Sequence, residues 1–151
     1  MTKLTKNEIK KTIERFTEGF NRDDLENVMK FFTEDAIYVE FTGKVNKEKK
    51  EIRKALEPQF RGDFGAVRFH DKAFVIDEKA QSAVFNWWCT MSVGDRFFKW
   101  EGLDLFKFKN GLIKEKRTFA QADLPRFRPR NFSLFPKFLI HMGSRKVRNL
   151  F

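Results

Sequence analysis

Residues that build metal sites and disulfides are scarce in this sequence. Its 151 residues include one cysteine and two histidines, which excludes an internal disulfide and gives no reason to expect a transition-metal site. There is no glycine-rich phosphate loop, no nucleophile elbow and no Cys–His arrangement. The sequence therefore predicts no metal and no cofactor.

Long apolar runs are missing as well. None approaches the ~20 residues that a membrane-spanning helix requires. Met1–Lys6 is not followed by the apolar stretch of a secretory signal, so no such signal is expected. The lone cysteine, Cys89, lies in an apolar run, where we expect a small buried hydrophobe of a reducing compartment. We therefore predict a cytoplasmic protein.

Aromatic side chains, in contrast, are abundant. Phenylalanine occurs 20 times and hydrophobic residues make up 41% of the chain, a content that is not typical of a disordered protein. A chain of this length is sufficient for one domain with one core. We expect a globular domain with a large supply of flat apolar surface.

The positive charge is unevenly distributed. The chain has a formal net charge of +10, yet residues 123–151 alone contain seven Lys or Arg against one Asp. Over half of the positive excess thus lies in the last fifth of the sequence. We therefore divide the chain into a folded domain at 1–122 and a basic, Phe- and Arg-rich C-terminal extension at 123–151.

The first part of the domain has the periodicity of helices. Thr5 and Glu8 form a capping-box pattern before apolar residues that recur at three- and four-residue spacing. A second helix is predicted over about 25–34 and a third from about Lys47. Between them, Ile37–Phe41 alternates as a short strand. The sequence therefore begins with three helices.

The second part has the two-residue period of strands. Four successive strands are predicted over 66–76, 82–93, 96–109 and 112–121. Gly94–Asp95 and Asn110–Gly111 are strong hairpin signals, because these residues tolerate positive φ. Helices followed by an antiparallel meander are an α+β arrangement.

Pairing across Gly94–Asp95 sorts the side chains of two strands by face. A two-residue turn places these residues opposite one another: Met91 and Phe98, Cys89 and Trp100, Trp87 and Gly102, Phe85 and Asp104. This face is almost entirely apolar, so we expect the helices to cover it. The opposite face is mixed, as a partly wet or dimer-forming surface would be.

Asp104 is the exception on the apolar face. A carboxylate among large apolar side chains is costly to bury unless a cation meets it. A two-residue turn at Asn110–Gly111 would place Arg117 opposite Asp104, whereas a three-residue turn with a bulged glycine would place Lys116 there. The residues alone leave both alternatives open.

Four short motifs resemble one known family. They are Phe16–Asn21, Phe31–Ala36, Trp100–Phe108 and Asn110–Ile113, in that order. Over about residues 5–122 the sequence resembles the nuclear transport factor 2-like superfamily, and within it the SnoaL-like branch, named for a polyketide cyclase. The resemblance implies a cone-shaped α+β fold in which three N-terminal helices pack on a curved antiparallel sheet. It also implies a pocket at the wide end and a homodimer.

The resemblance further implies site residues. By analogy with the ketosteroid isomerase branch, Glu40 corresponds to the catalytic base and Asp104 to a protonated acid. Phe16 stands where that branch has a tyrosine of the oxyanion hole, and losing such a donor typically costs about 100- to 1000-fold in rate. Tyr38, the only tyrosine, shares a strand face with Glu40. The family pattern favours the bulged turn, and with it Lys116 on the pocket face.

The superfamily includes cyclases, isomerases, epoxide hydrolases, dehydratases and carriers without chemistry, so the fold does not settle the function. We predict a domain that binds a small apolar molecule, with the reaction unassigned. Its predicted ligand-binding residues are Phe16, Phe20, Tyr38, Trp87, Trp100 and Lys116. One alternative is a proton-transfer enzyme (an isomerase, cyclase or dehydratase) that uses Glu40 and Asp104 as catalytic residues.

The basic extension suggests a third function. Interleaved Arg and Phe in 123–151 suit contact with an anionic membrane surface or docking to a partner. Alternatively, its phenylalanines pack on the domain or on a homodimer mate, with the arginines in water. Nucleic acid, which basic and aromatic residues also bind, is the least favoured partner.

Overall fold

The computed structural model describes residues 2–121, apart from the side chains of Asp71 and Lys72. The predicted extension at 123–151 lies outside these residues. The described elements, in chain order, are α1 Lys6–Asn21, α2 Leu25–Lys30, β1 Phe32–Val39, β2 Val45–Lys47, α3 Glu48–Phe60, β3 Ala66–Asp77, β4 Ser82–Val93, β5 Arg96–Lys109 and β6 Leu112–Gln121.

The first helix, α1, begins with the predicted capping box. Thr5 Oγ1 accepts a hydrogen bond from the Glu8 N–H at 3.3 Å, and the Glu8 carboxylate accepts one from the Thr5 N–H at 2.8 Å. Two backbone N–H groups at the start of the helix, those of Thr5 and Glu8, thereby have hydrogen-bond acceptors. The helix buries Ile9, Ile13 and Phe16 at the spacing that the sequence predicted.

The six strands form one curved, open sheet in the order β2–β1–β6–β5–β4–β3. Neighbouring strands are antiparallel except β1 and β6, which run parallel. The α+β class is confirmed, but the sheet is mixed and not antiparallel throughout. Because most of the domain separates β1 from β6 in the sequence, no tight turn dictates their relative direction.

The strand β1 starts earlier than predicted. Phe32 is buried and begins the strand, whereas the sequence placed it on the stripe of a helix. An irregularity between Phe32 and Ile37 interrupts the pairing with β6, so the alternation is lost at this point. The strand β2 was not predicted, because three residues are too few to show a period.

Helices cover one face of the sheet: α1 packs on β3, and α3 packs on β1. Asn21 ties the end of α1 to β3, because its side chain donates to the Phe69 carbonyl at 2.8 Å and accepts from the Phe69 N–H at 2.7 Å. Phe16 packs edge-to-face against Phe20 and Phe106, with ring centroids 5.1 and 5.7 Å away. These contacts hold α1 over the apolar face predicted from the hairpin pairing.

Candidate functional site

A cavity of about 560 Å³ lies between the helices and the covered face of the sheet. Aromatic side chains dominate its wall, among them Phe16, Phe20, Phe69, Phe85, Trp87 and Trp100. Tyr38, Asp104, Lys116 and Thr118 add polar groups. Volumes of about 300–1,000 Å³, with mostly apolar walls and a few polar groups, are typical of small-molecule sites. All six predicted ligand-binding residues lie in this wall.

The two-residue turn at Gly94–Asp95 has the predicted pairing. Val93 lies opposite Arg96, and Phe85 lies opposite Asp104. Along β5, Asp104 lies eight residues after Arg96, a distance of about 27 Å. Val93 is exposed and Phe85 is buried, so this path leads from the mouth of the cavity to its inner end.

Asp104, at the inner end, accepts hydrogen bonds from two side chains. Lys116 Nζ lies 2.8 Å and Thr118 Oγ1 lies 2.7 Å from Asp104 Oδ1, and Lys116 Nζ also donates to Thr118 Oγ1 at 2.6 Å. The side chains of Asp104 and Lys116 are only 9% and 7% exposed. The buried carboxylate is thus met by a cation, as its place in an apolar wall requires.

The register at Asn110–Gly111 differs from both predicted alternatives. The turn has two residues, but a bulge near the start of β6 then shifts the register by one residue. Thr118, and neither Lys116 nor Arg117, therefore lies opposite Asp104. Lys116 reaches Asp104 diagonally, because both side chains point to the same face and lysine is long.

Tyr38 adds a hydroxyl to the inner end. It pairs with Lys116 across the parallel β1–β6 ladder, and its ring centroid lies 4.9 Å from Lys116 Nζ, a cation–π distance. Burial raises the pKa of Tyr38, and the charge of Lys116 opposes this shift in part. The hydroxyl therefore stays protonated at neutral pH and can donate a hydrogen bond.

Trp87 fits in the wall because the residue opposite it is glycine. A Cβ on Gly102 would come 2.4 Å from the Trp87 ring and 2.5 Å from the Phe119 carbonyl oxygen. The ring also packs edge-to-face on Phe69 at 5.2 Å, and Trp87 Nε1 has no hydrogen-bond partner among the described residues. The sequence showed the Trp–Gly pairing, but the direction of the ring depends on its rotamer.

Glu40, the predicted base, has partners outside the cavity. It follows β1, accepts a hydrogen bond from Asn46 Nδ2 at 2.7 Å, and lies 3.8 Å from Lys44 Nζ. It is not among the described residues that line the cavity. The structure therefore does not bring Glu40 and Asp104 to one cavity, because the Glu40 carboxylate is held by Asn46 of β2.

Cys89 and several apolar side chains complete the wall. Cys89 is fully buried, and burial raises the pKa of its thiol to about 12, so the group stays protonated and is a poor nucleophile. Sequence analysis missed the wall residues Phe41, Phe64, Val67 and Phe69. Phe69 was detectable as an inward position of β3, and Phe64 lies in a turn, which has no period. Phe41 was predicted at the end of a strand, on the face opposite Tyr38, whereas β1 ends at Val39 and Phe41 lies in the turn that follows.

A second depression, of about 550 Å³, lies between α1 and β3. It is an open groove lined by charged and polar residues that include Glu14, Arg15, Glu18 and His70. His70 stacks on Trp88 with 3.9 Å between ring centroids, which accounts for its position as a packed surface residue. The enclosed aromatic cavity is therefore the candidate site.

Metal and membrane features are not found in the described part of the chain. Within residues 2–121, no cluster of His, Cys, Asp and Glu could hold a metal ion. Over the same residues, no helix is long and apolar enough to cross a membrane.

The family profile of the SnoaL-like domain matches residues 13–116, from the middle of α1 to the lysine in the cavity wall. The chain belongs to the SnoaL-like domain family. No curated protein matches the sequence. The family assignment covers the cavity wall from Phe16 to Lys116, so the site is part of the SnoaL-like domain itself.

Solved structures share the fold of this SnoaL-like domain. AusH from Aspergillus nidulans has a TM-score of 0.69 at 22% identity, with 82% of this chain and 89% of that chain covered. A protein of unknown function with a cystatin-like fold from Methylobium petroleophilum has a TM-score of 0.68 at 19% identity, with 84% of both chains covered. SalBIII, an epoxide hydrolase/cyclase-like enzyme in pyran ring formation in the polyether salinomycin, has a TM-score of 0.67 at 16% identity, with 76% and 92% covered. At these identities the similarity establishes the fold alone.

Proposed function

We propose that this SnoaL-like domain binds a neutral, largely apolar small molecule with one polar end, and that the polar end lies against Asp104 and Lys116. The observation that carries the proposal is the buried Asp104–Lys116 ion pair in the wall of an otherwise aromatic cavity. A buried ion pair generally stabilises a fold no better than apolar residues of similar volume. Its presence in the wall is therefore better explained by a ligand than by stability.

The hydrogen-bonding groups at the inner end favour a ligand with a hydroxyl or carbonyl group. Both hydrogen bonds to Asp104 go to Oδ1, so Oδ2 accepts none from the side chains that the structure describes. Tyr38 offers a further hydroxyl donor in the same cavity wall. The carboxylate and the ammonium cancel one another's charge, so neither an anionic nor a cationic ligand is favoured over a neutral one. The aromatic rings of the wall suit a flat apolar body.

Two observations favour binding over proton transfer. The predicted acid, Asp104, is ion-paired with Lys116, whereas the neutral-acid role needs a carboxylic acid without a cation beside it. The predicted base, Glu40, hydrogen-bonds with Asn46 away from the cavity wall. A proton-transfer enzyme (an isomerase, cyclase or dehydratase) stays the alternative, and the similarity to the epoxide hydrolase/cyclase-like SalBIII favours the cyclase among these. The predicted homodimer and the cytoplasmic location also stay predictions.

The proposal is tested with N-phenylnaphthylamine, a neutral apolar fluorophore that becomes bright in an apolar cavity. We expect saturable binding by the full chain. Ala120→Phe adds a ring inside the wall and should weaken binding at least about tenfold, because it fills the space the probe needs. Its control is Ala80→Phe, the same exchange in the exposed turn between β3 and β4.

The outcome is read from the dissociation constants of the three proteins, with thermal unfolding as a check on folding. If the wild type and Ala120→Phe bind the probe with equal affinity, the probe binds outside the cavity and the proposal is overturned. The absence of saturable binding by the wild type would overturn it as well.

A further inference from the structure

The mouth of the cavity carries an exposed apolar rim. Five large side chains form it, with these exposed fractions: Phe41 66%, Phe64 44%, Val93 45%, Phe97 66% and Phe98 41%. They lie in or next to three separate turns. Phe41 lies between β1 and β2, Phe64 lies between α3 and β3, and the other three lie beside the turn between β4 and β5. Exposed apolar patches of this kind mark contact with a partner or a membrane, because isolated domains gain nothing from them.

Three rim residues belong to the cavity wall, and Phe97 lies beside them on the opposite face of β5 from Phe98. Gly65 follows Phe64 with φ +78°, and a Cβ there would lie 2.1 Å from the Ser92 carbonyl oxygen and 2.9 Å from the Val93 side chain. The turn before β3 therefore packs directly against the end of β4. Phe41, Phe64 and Val93 also line the cavity, so the rim is continuous with its wall. A surface that the rim touches would thus face the open end of the cavity.

Two basic residues lie on the hairpin of this rim, and seven more follow β6 in the sequence. Arg96 and Lys99 are exposed on the hairpin that carries Phe97 and Phe98. The basic segment 123–151, with seven Lys or Arg against one Asp, follows the end of β6. The last residue of β6, Gln121, pairs with Glu101, five residues and about 17 Å from Arg96 along β5. Aromatic residues flanked by cations are the pattern of proteins that bind anionic lipid surfaces.

We propose that the rim docks on the surface of an anionic lipid bilayer, with the mouth of the cavity facing the lipid. The rim side chains enter the boundary between headgroups and acyl chains, and the basic residues contact the lipid headgroups. An apolar ligand can then pass between bilayer and cavity without crossing water. This passage rests on the proposed function, whereas the docking itself does not.

The test measures co-sedimentation of the full chain with phosphatidylcholine vesicles, with and without phosphatidylserine. We expect binding that needs phosphatidylserine and weakens as salt rises, because salt screens the charges. The double variant Phe97→Ser/Phe98→Ser, at two rim positions outside the cavity wall, should reduce the partition coefficient about tenfold or more. Replacing Arg126, Arg128 and Arg130 by Gln should weaken binding to the vesicles that contain phosphatidylserine.

Phe119→Ser is the matched control. Phe119 is also exposed, at 54%, and lies on the outer face of the sheet as Phe97 does, but it pairs with Leu103, about 20 Å along β5 from Phe97. It should bind vesicles like the wild type. Phe97→Ser/Phe98→Ser lies outside the cavity wall and should still bind N-phenylnaphthylamine like the wild type, so failure of the ligand proposal is distinguishable from failure of this one.

Three outcomes would overturn the proposal. The first is a full chain that does not sediment with anionic vesicles. The second is loss of vesicle binding when Arg126, Arg128 and Arg130 are replaced, together with unchanged binding by Phe97→Ser/Phe98→Ser. That result would assign the contact to the segment 123–151 alone. The third is a rim variant that changes the oligomeric state by light scattering and leaves vesicle binding unchanged, which would make the rim an interface between copies of this chain.

Discussion

The two ends of the cavity invert the usual distribution of side chains. At the inner end, Asp104 and Lys116 are charged and buried; at the mouth, Phe41 and Phe64 are apolar and exposed. Between the two ends the wall follows the usual rule, as with Trp87, an apolar side chain that is almost fully buried. Both ends thus depart from what folding alone favours, and they do so along one continuous wall.

The comparison of the inner end with the mouth shows two places where the side chains do not favour stability of the fold. Buried charge is costly unless every partner is in place, and exposed phenylalanine adds nothing to the folded state. Departures of this kind are expected at sites that act on another molecule. The inner end has the polar groups that could orient a ligand, and the mouth has the apolar groups that could meet a surface.

The largest effect is expected from breaking the ion pair at the inner end. Lys116→Met leaves Asp104 as an uncompensated buried charge and should lower the free energy of unfolding by about 3–5 kcal/mol, measured by urea denaturation. Adding Asp104→Asn should recover much of this loss, because the charge is then removed.

The same exchange at an exposed pair provides the control. Lys107 forms an ion pair with Glu115 at 2.9 Å but is mostly exposed, so Lys107→Met should cost less than about 1 kcal/mol. If Lys116→Met proves no more costly than Lys107→Met, the inner end is solvated and the contrast between the two ends disappears.

An intermediate effect is expected in the middle of the wall. Gly102→Ala inserts a Cβ where the Trp87 ring lies and should cost about 1–3 kcal/mol, with a change in tryptophan fluorescence as the ring moves. Combining it with Trp87→Phe should recover part of the loss, since the smaller ring leaves more room. Unchanged stability and fluorescence in Gly102→Ala would contradict the observed packing.

The smallest effect on stability is expected at the mouth. Phe41→Ala should change the free energy of unfolding by less than about 0.5 kcal/mol, because its ring is largely in water already. The matched exchange Phe85→Ala, in the buried wall, should cost about 3–5 kcal/mol. Comparable losses at the two positions in chemical denaturation would mean that Phe41 is packed and that the rim is not free for a partner.

Much of the fold was predictable because its signals are local. The capping box at Thr5 and the two-residue turn at Gly94–Asp95 depend on residues only a few positions apart. The turn alone sets the register of β4 and β5, and with it Asp104 on the apolar face beside Phe85 and Trp87. Lys116 was placed on the same face, although the predicted register that put it there was wrong.

The rest was not predictable because it depends on contacts between distant segments. The parallel pairing of β1 with β6 joins strands with no turn between them, and the bulge in β6 follows from packing rather than from the turn at Asn110–Gly111. Glu40 shows the same limit: its residue type suited a base, but its contact with Asn46 depends on β2, which the sequence did not reveal.

The sequence by itself determined the fold class and the apolar face with its single carboxylate, since periodicity and turn chemistry act within short segments. The family followed from the resemblance of four short motifs. Only the tertiary structure decided that the helices leave a cavity above that face, that Lys116 reaches Asp104 diagonally, and that three distant turns form one rim. The physical reason is that an enclosed volume and a shared surface belong to the packing of the whole domain and not to any segment of it.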